Sequence, residues 1–164
     1  MKKEYIVGIV LFLLLVLYSI FSPSGDQLKG RVVKVQDGDT ITLLVGSTQH
    51  KIRLQGIDCP EKGQPFGTVS TKFTSDSVFG KTVTVEWEEK DRYGRVLGDV
   101  IYDGKKSLSE ELVKAGLAWH YKQYSKDPVL AALEIKARTT KKGLWADKNP
   151  IPPWEWRKQK RKKP

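Results

Sequence analysis

A chain of 164 residues that is 39% apolar and 29% charged has the composition of a globular protein, long enough for one domain with a real core plus appendages. Its net charge of +10 is unevenly spread: residues 1–24 carry +1, residues 157–164 carry six Lys/Arg and no acid, and the body between them keeps +3. The single cysteine, Cys59, excludes an intrachain disulfide and four-cysteine zinc sites, so the domain must hold together by packing.

In chain order, the first element is an uncharged run over residues 5–21, preceded by Met1-Lys2-Lys3-Glu4. Seventeen residues reach the lower limit for crossing about 30 Å of hydrocarbon, and the run lacks the polar stripe of a buried core helix. It reads as a hydrophobic helix that is a single-pass membrane anchor, or as a signal segment cut near Ser22 or Ser24, although no Ala-x-Ala pattern is present. With lysines only on the short N-terminal side, either reading places the body outside the cytoplasm. Residues 1–22 are therefore assigned to the membrane segment and residues 23–28 to a polar linker rich in turn formers.

A folded domain over residues 29–147 follows. Val33 and Val35, then Ile41, Leu43 and Val45, recur at intervals of two around Asp37-Gly38, and a second turn near Gly46-Ser47-Thr48 leads to Ile52 and Leu54: three strands in a meander. Phe66, Val69 and Phe73 repeat at helical spacing up to a stop at Gly80. Residues 81–87 and 95–102 give strands four and five. Ser107 to Ala115 is a second helix stopped by Gly116, and Pro128 opens a third that runs to about Thr140 with Leu130, Leu133 and Ala137 inward. Five strands with a helix between the third and fourth is the order of the OB-fold, so the expected class is α+β, mainly β: a five-stranded Greek-key barrel with about three helices behind the N-terminal hydrophobic helix. Residues 148–164 form an irregular Trp/Pro closing segment and a basic tail.

Chemistry concentrates in three short stretches: Gln36-Asp37-Gly38-Asp39-Thr40, Arg53-Leu54-Gln55-Gly56-Ile57-Asp58-Cys59-Pro60-Glu61 and Asp91-Arg92-Tyr93-Gly94-Arg95. Acidic oxygens hold a hard divalent cation and guanidinium forks clamp phosphate oxygens; a site needing both usually handles a phosphodiester. If strands two and three turn near residues 47 and 48, Asp39 lies opposite residues 56–58 and meets Asp58, a pair that repels unless a cation lies between. Asp37 is equally a turn residue beside Gly38. Arg53 is five residues before Asp58, so strict alternation would send them to opposite faces; Gly56 is suited to the bend that brings both to one cleft. Glu61, beyond rigid Pro60, is then a candidate base. Cys59 reads as a small wall residue rather than a nucleophile.

These stretches resemble the motifs of the staphylococcal nuclease, or thermonuclease, family: Asp-Gly-Asp-Thr, Arg-Leu-x-x-Ile-Asp-x-Pro-Glu and Asp-x-Tyr-Gly-Arg, in that order, over roughly residues 30–145. The resemblance implies an OB-fold core, one Ca²⁺ ion, and hydrolysis of DNA and RNA at the 5′-oxygen to leave 3′-phosphate ends. By motif position it assigns Asp39, Asp58 and the Cys59 backbone carbonyl to the metal, and Arg53, Arg95 and Glu61 to catalysis. Arg92, Tyr93 and Tyr121 are candidate substrate contacts, although the spacing of tyrosines after Ala118 departs from the family's. Cysteine stands at 59 where the best-known member has threonine, a change without effect on a carbonyl ligand. The rival reading is a barrel that binds nucleic acid without cleaving it, and the presence of all five of Asp39, Arg53, Asp58, Glu61 and Arg95 argues against it.

The run from Arg157 to Lys163 reads either as a solvated end or as an electrostatic arm for nucleic acid or anionic lipid headgroups. Trp154 and Trp156 are expected to pin the closing segment onto the barrel, with Trp87, Trp119 and Trp145 in packing roles. His50 and His120 are read as structural or exposed.

Overall fold

Alternation of apolar and polar side chains builds a meander of β1 (Asp26–Asp37), β2 (Thr40–Val45) and β3 (Thr48–Leu54). This is a computed structural model that describes Phe12 and residues 26–162. The membrane segment expected over residues 5–21 lies, but for Phe12, outside the described residues; among the described residues no helix is long and apolar enough to cross a membrane. β1 begins at Asp26, within the segment read as linker, and residues 26–31 pair with β5 (Thr82–Lys90).

β5 pairs antiparallel with β6 (Val96–Tyr102), and a short parallel ladder from Ile52–Val96 to Leu54–Gly98 joins β3 to β6. That ladder closes β1, β2, β3, β6 and β5 into a barrel, so no long edge is left unpaired. Its interior holds Val32, Ile41, Leu43, Ile52, Leu54, Val83, Val85, Val96 and Val100, nearly all from alternate strand positions. The mainly-β barrel of the OB-fold is therefore present as the strand pattern predicts. Two-residue strands β4 (Ile57–Asp58), β7 (Lys106–Ser107) and β8 (Trp119–His120) add local pairings.

The three expected helices are α1 (Gly67–Val78), α2 (Leu108–Lys114) and α3 (Pro128–Thr139). Ser107 caps α2 by accepting from the Glu110 N–H, and Asp127 caps α3 by accepting from the N–H groups of Val129 and Leu130. A 3-10 turn (Gly143–Ala146) precedes a helix that the sequence reading had as irregular chain, α4 (Pro153–Lys162). Proline at its first position is pre-set for a helix start. α4 is anchored by Trp154, whose ring meets Trp119 edge-on at 5.6 Å and joins a cluster with Trp145, Leu144 and Ala137.

The register of β2 on β3 differs from expectation. A two-residue turn at Gly46-Ser47 pairs Val45 with Thr48 and Thr40 with Arg53, at least two positions away from the expected alignment. Asp39 therefore lies opposite Leu54, whose N–H donates to the Asp39 carbonyl at 2.8 Å.

Candidate active site

Asp39 and Asp58 do meet, by another route than hairpin pairing. After β3 the chain turns at Gln55-Gly56, where Gly56 has φ +74 and an added Cβ would lie 2.8 Å from Leu130 Cδ1. Only glycine suits such a turn. It delivers Ile57 and Asp58 into β4, which pairs with β8 so that Asp58 faces Trp119. The Cys59 N–H then donates to Asp39 Oδ2 at 2.7 Å.

Arg53 sits between the two carboxylates. Its Nη2 is 2.9 Å from Asp58 Oδ1 and 3.2 Å from Asp39 Oδ2, while Nη1 donates to the carbonyls of Leu54 at 2.8 Å and Ile57 at 3.0 Å. The bend at Gly56 thus resolves the parity difficulty by wrapping the following residues around the Arg53 side chain. Asp39 is 6% exposed and Asp58 1%. Burial pushes the Asp58 carboxyl up, an effect that hydrogen bonds from Arg157 partly offset and the Asp39 charge reinforces. For Arg53, burial alone would favour loss of the proton, but Asp39 and Asp58 outweigh it and raise its pKa. Asp37 takes the turn role: its Oδ1 accepts from the Asp39 N–H at 3.2 Å, and burial together with the Asp39 charge pushes its carboxyl up to about 6. Cys59 is fully enclosed, and burial followed by the Asp39 charge pushes its thiol well above the ordinary range, which suits a wall residue.

Glu61 is held from its backbone. Its N–H donates to Gln64 Oε1 at 2.9 Å, the Gln64 N–H returns to the Glu61 carbonyl at 2.9 Å, and Gly67 packs so closely that a Cβ there would lie 2.1 Å from that carbonyl. Its side chain accepts from Arg157 Nη1 at 2.6 Å.

Arg157 was read as part of the tail, yet it is a neighbour of the predicted acids. Its Nη2 donates to Asp58 Oδ2 at 2.8 Å and its Nη1 to Asp58 Oδ1 at 3.2 Å as well as to Glu61. Pro152-Pro153 ahead of Trp-Glu-Trp-Arg was the available signal for a helix here; what that helix touches has no signature in the sequence.

Arg95 stands apart from this cluster. Arg53 pairs with Leu97, and Arg95 precedes Leu97 by two, so alternation sets both arginines on the same side of the β3–β6 ladder. Arg95 is oriented by Asp91, whose Oδ2 accepts from Arg95 Nε at 2.7 Å and whose Oδ1 accepts from the N–H groups of Arg95 and Tyr93 at 2.9 Å each. Tyr93 is exposed, with the guanidinium carbons of Arg92 and Arg95 at 5.1 and 5.7 Å from its ring centre. Tyr121 lies at the other wall, its ring stacked on Trp154 at 5.1 Å and 1°. His120 is buried and its Nε2 lies 3.1 Å from Ser125 Oγ, a structural contact.

The family model described as staphylococcal nuclease homologue matches residues 51–147, which include Arg53, Asp58, Glu61 and Arg95. The chain belongs to the staphylococcal nuclease family. Within it, the chain is 48% identical over 134 residues to a protein of Escherichia coli named an uncharacterized endonuclease, covering 82% of this chain and 88% of that one. It is 45% identical to a Haemophilus influenzae protein of the same name, over 93% and 86% of the two chains. A Shigella flexneri protein named micrococcal nuclease is 38% identical over 83% of this chain and 84% of its own.

In this staphylococcal nuclease homologue the acidic centre is built of carboxylate oxygens, the donor type that a hard cation takes. The pair Asp39–Asp58 already has a positive guanidinium between its members. Among the described residues no cluster of three or more His, Cys, Asp or Glu side chains forms a ready-made metal cage.

Proposed function

We propose that this chain is a calcium-dependent nuclease that hydrolyses DNA and RNA at the bond to the 5′-oxygen and leaves 3′-phosphate ends, acting outside the cytoplasm. The observation that carries it is the Asp39–Arg53–Asp58 cluster with Glu61 alongside, in a chain whose relatives bear the names endonuclease and micrococcal nuclease.

In this reading Asp39, Asp58 and the Cys59 carbonyl would hold the ion, which would supply positive charge near the phosphate. Arg53 is a rigid charge, fixed by two carbonyls and two carboxylates before any substrate arrives, so little reorganisation is needed when negative charge grows on the phosphoryl oxygens. Arg95 presents the outer edge of its guanidinium, because Asp91 takes Nε. Glu61 accepts a proton from the attacking water; the water oxygen bonds to phosphorus, the P–O5′ bond breaks, and the departing oxygen takes up a proton to become a 5′-hydroxyl. Tyr93, flanked by two arginines on an exposed turn, and Arg92 offer a stacking face and charge to the substrate. Tyr121, stacked on Trp154, carries its phenol beside Asp58 and Arg157.

Export is supported by the uncharged run 5–21 behind two lysines, either retained as an anchor or removed. The mass and N-terminus of the protein in membrane and medium fractions distinguish these, and finding the full-length chain only in cytosol overturns both. The activity is tested by incubating the full chain with single-stranded DNA in Ca²⁺ and then in chelator. Cleavage in Ca²⁺ alone, with product ends that a polymerase extends only after phosphatase treatment, is the expected outcome. Binding in Ca²⁺ without cleavage would establish the inactive binding module instead.

A further inference from the structure

Resting on the nuclease reading, we propose that Arg157 is a positioning residue of the active site, and that helix α4 is thereby part of the catalytic machinery rather than a tail. Two independent ties join the C-terminal segment to the Glu61 loop. Through the side chains, the Arg157 guanidinium spans Asp58 and Glu61 with bonds of 2.6, 2.8 and 3.2 Å. Through the backbone, buried Gln64 accepts from the Glu61 N–H at 2.9 Å and donates its Nε2–H to the Ile151 carbonyl at 2.7 Å, so one side chain clamps both segments.

The helix is not laid loosely across the cleft. Trp154 is stacked on Tyr121 and set edge-on to Trp119, and Pro153 is buried. Trp119 is the backbone pairing partner of Asp58, so the strand beside Asp58 and the helix that carries Arg157 meet in one aromatic cluster. A carboxylate on a loop after proline samples several rotamers unless something fixes it; a planar fork that bonds Glu61 and Asp58 together sets their separation and aims Glu61. Charge leads to the same assignment. Asp39, Asp58 and Glu61 carry three negative charges against one from Arg53, and Arg157 relieves that excess to −1.

The test uses the full chain. Arg157→Gln is expected to lower kcat by about 10- to 100-fold, the range typical of losing an outer partner that orients a site carboxylate, with KM changed by less than about threefold. Arg157→Lys recovers little, because one ammonium does not span two carboxylates, and Arg157→Ala is rescued by added guanidinium ion but not by sodium chloride of the same strength. Glu155→Gln, on the same helix and outside the site, retains parent activity. Separately, in the metal-free chain, the Arg157 Nη protons should give distinct, slowly exchanging NMR signals, of which the Nη1 signals shift in Glu61→Ala while the Nη2 signals bonded to Asp58 persist. Averaged, fast-exchanging Nη signals in the unmutated chain overturn the proposal whether or not the variants fold. So does a folded Arg157→Gln with kcat near the parent value, or with a raised kcat, the mark of a helix that merely obstructs the cleft. An unmutated chain that shows pinned Nη signals yet cleaves nothing would instead refute the nuclease reading and leave the Arg157 contact standing.

Discussion

Arg53 and Arg95 occupy equivalent places in the charge pattern and different places in the physics. Arg53 satisfies the carbonyls of Leu54 and Ile57 in addition to two acids, so Arg53→Lys is expected to cost about 1–3 kcal/mol of stability for those orphaned acceptors. It should also lower kcat by about 100-fold through loss of a fixed donor array. Arg95→Lys should unfold close to the parent urea concentration and lose mainly activity, because the backbone N–H bonds to half-buried Asp91 remain when the Nε bond is lost; equal stability losses in the two variants would contradict this division. Burial would push the Asp91 carboxyl up, but the bonds from Arg95 and Tyr93 outweigh it and hold it below its ordinary 3.8. A depressed carboxyl stabilises the fold above its ordinary value and loses that contribution as pH falls through the lowered one. Orientation of Arg95 should therefore be constant from neutral pH down to about 5 and fail only in stronger acid. An Arg95 Nε chemical shift that moves between pH 5 and 7 would refute it.

At the scale of elements, glycine and turn chemistry decide where the acids go. Two of the helices follow from signals readable in sequence: the Gly116 stop after α2, Pro128 at the start of α3, and helix-period apolar residues Leu130 and Ala137 on the buried side of α3. Gly67 is different, since a helix-opening glycine carries no sign that the Glu61 carbonyl lies where its Cβ would be. Gly67→Ala is expected to push the Glu61 loop away, costing about 1–3 kcal/mol in urea denaturation and lowering kcat while leaving binding of uncleaved DNA intact. Parent-level kcat in that variant would show that Glu61 tolerates displacement. The β2–β3 alignment failed as an expectation because hairpin arithmetic magnifies a small error in turn position: the turn falls at Gly46-Ser47, and every paired position shifts accordingly.

For the whole molecule, the basic C-terminus divides in two. Arg157 is turned into the site, whereas Lys158, Lys160 and Arg161 are exposed. If these gather substrate, Lys160→Gln with Arg161→Gln should flatten the slope of log affinity against log salt by about 1–2 for single-stranded DNA in chelator. An unchanged slope would return them to the role of a solubilising surface. The sequence by itself determined the barrel, because apolar alternation with a period of two is a local property that survives any error in register. It also singled out the acids and arginines proposed for the site, because their motifs are contiguous. Only the tertiary structure decided how they meet: Asp58 arrives through the Gly56 turn and β8, and Arg95 stands apart from the acids on its own Asp91. Arg157 comes from 99 residues beyond Asp58 to bond it. Contacts at such separation depend on where α4 lands after the Trp154 cluster packs, and packing leaves no periodic trace in the chain.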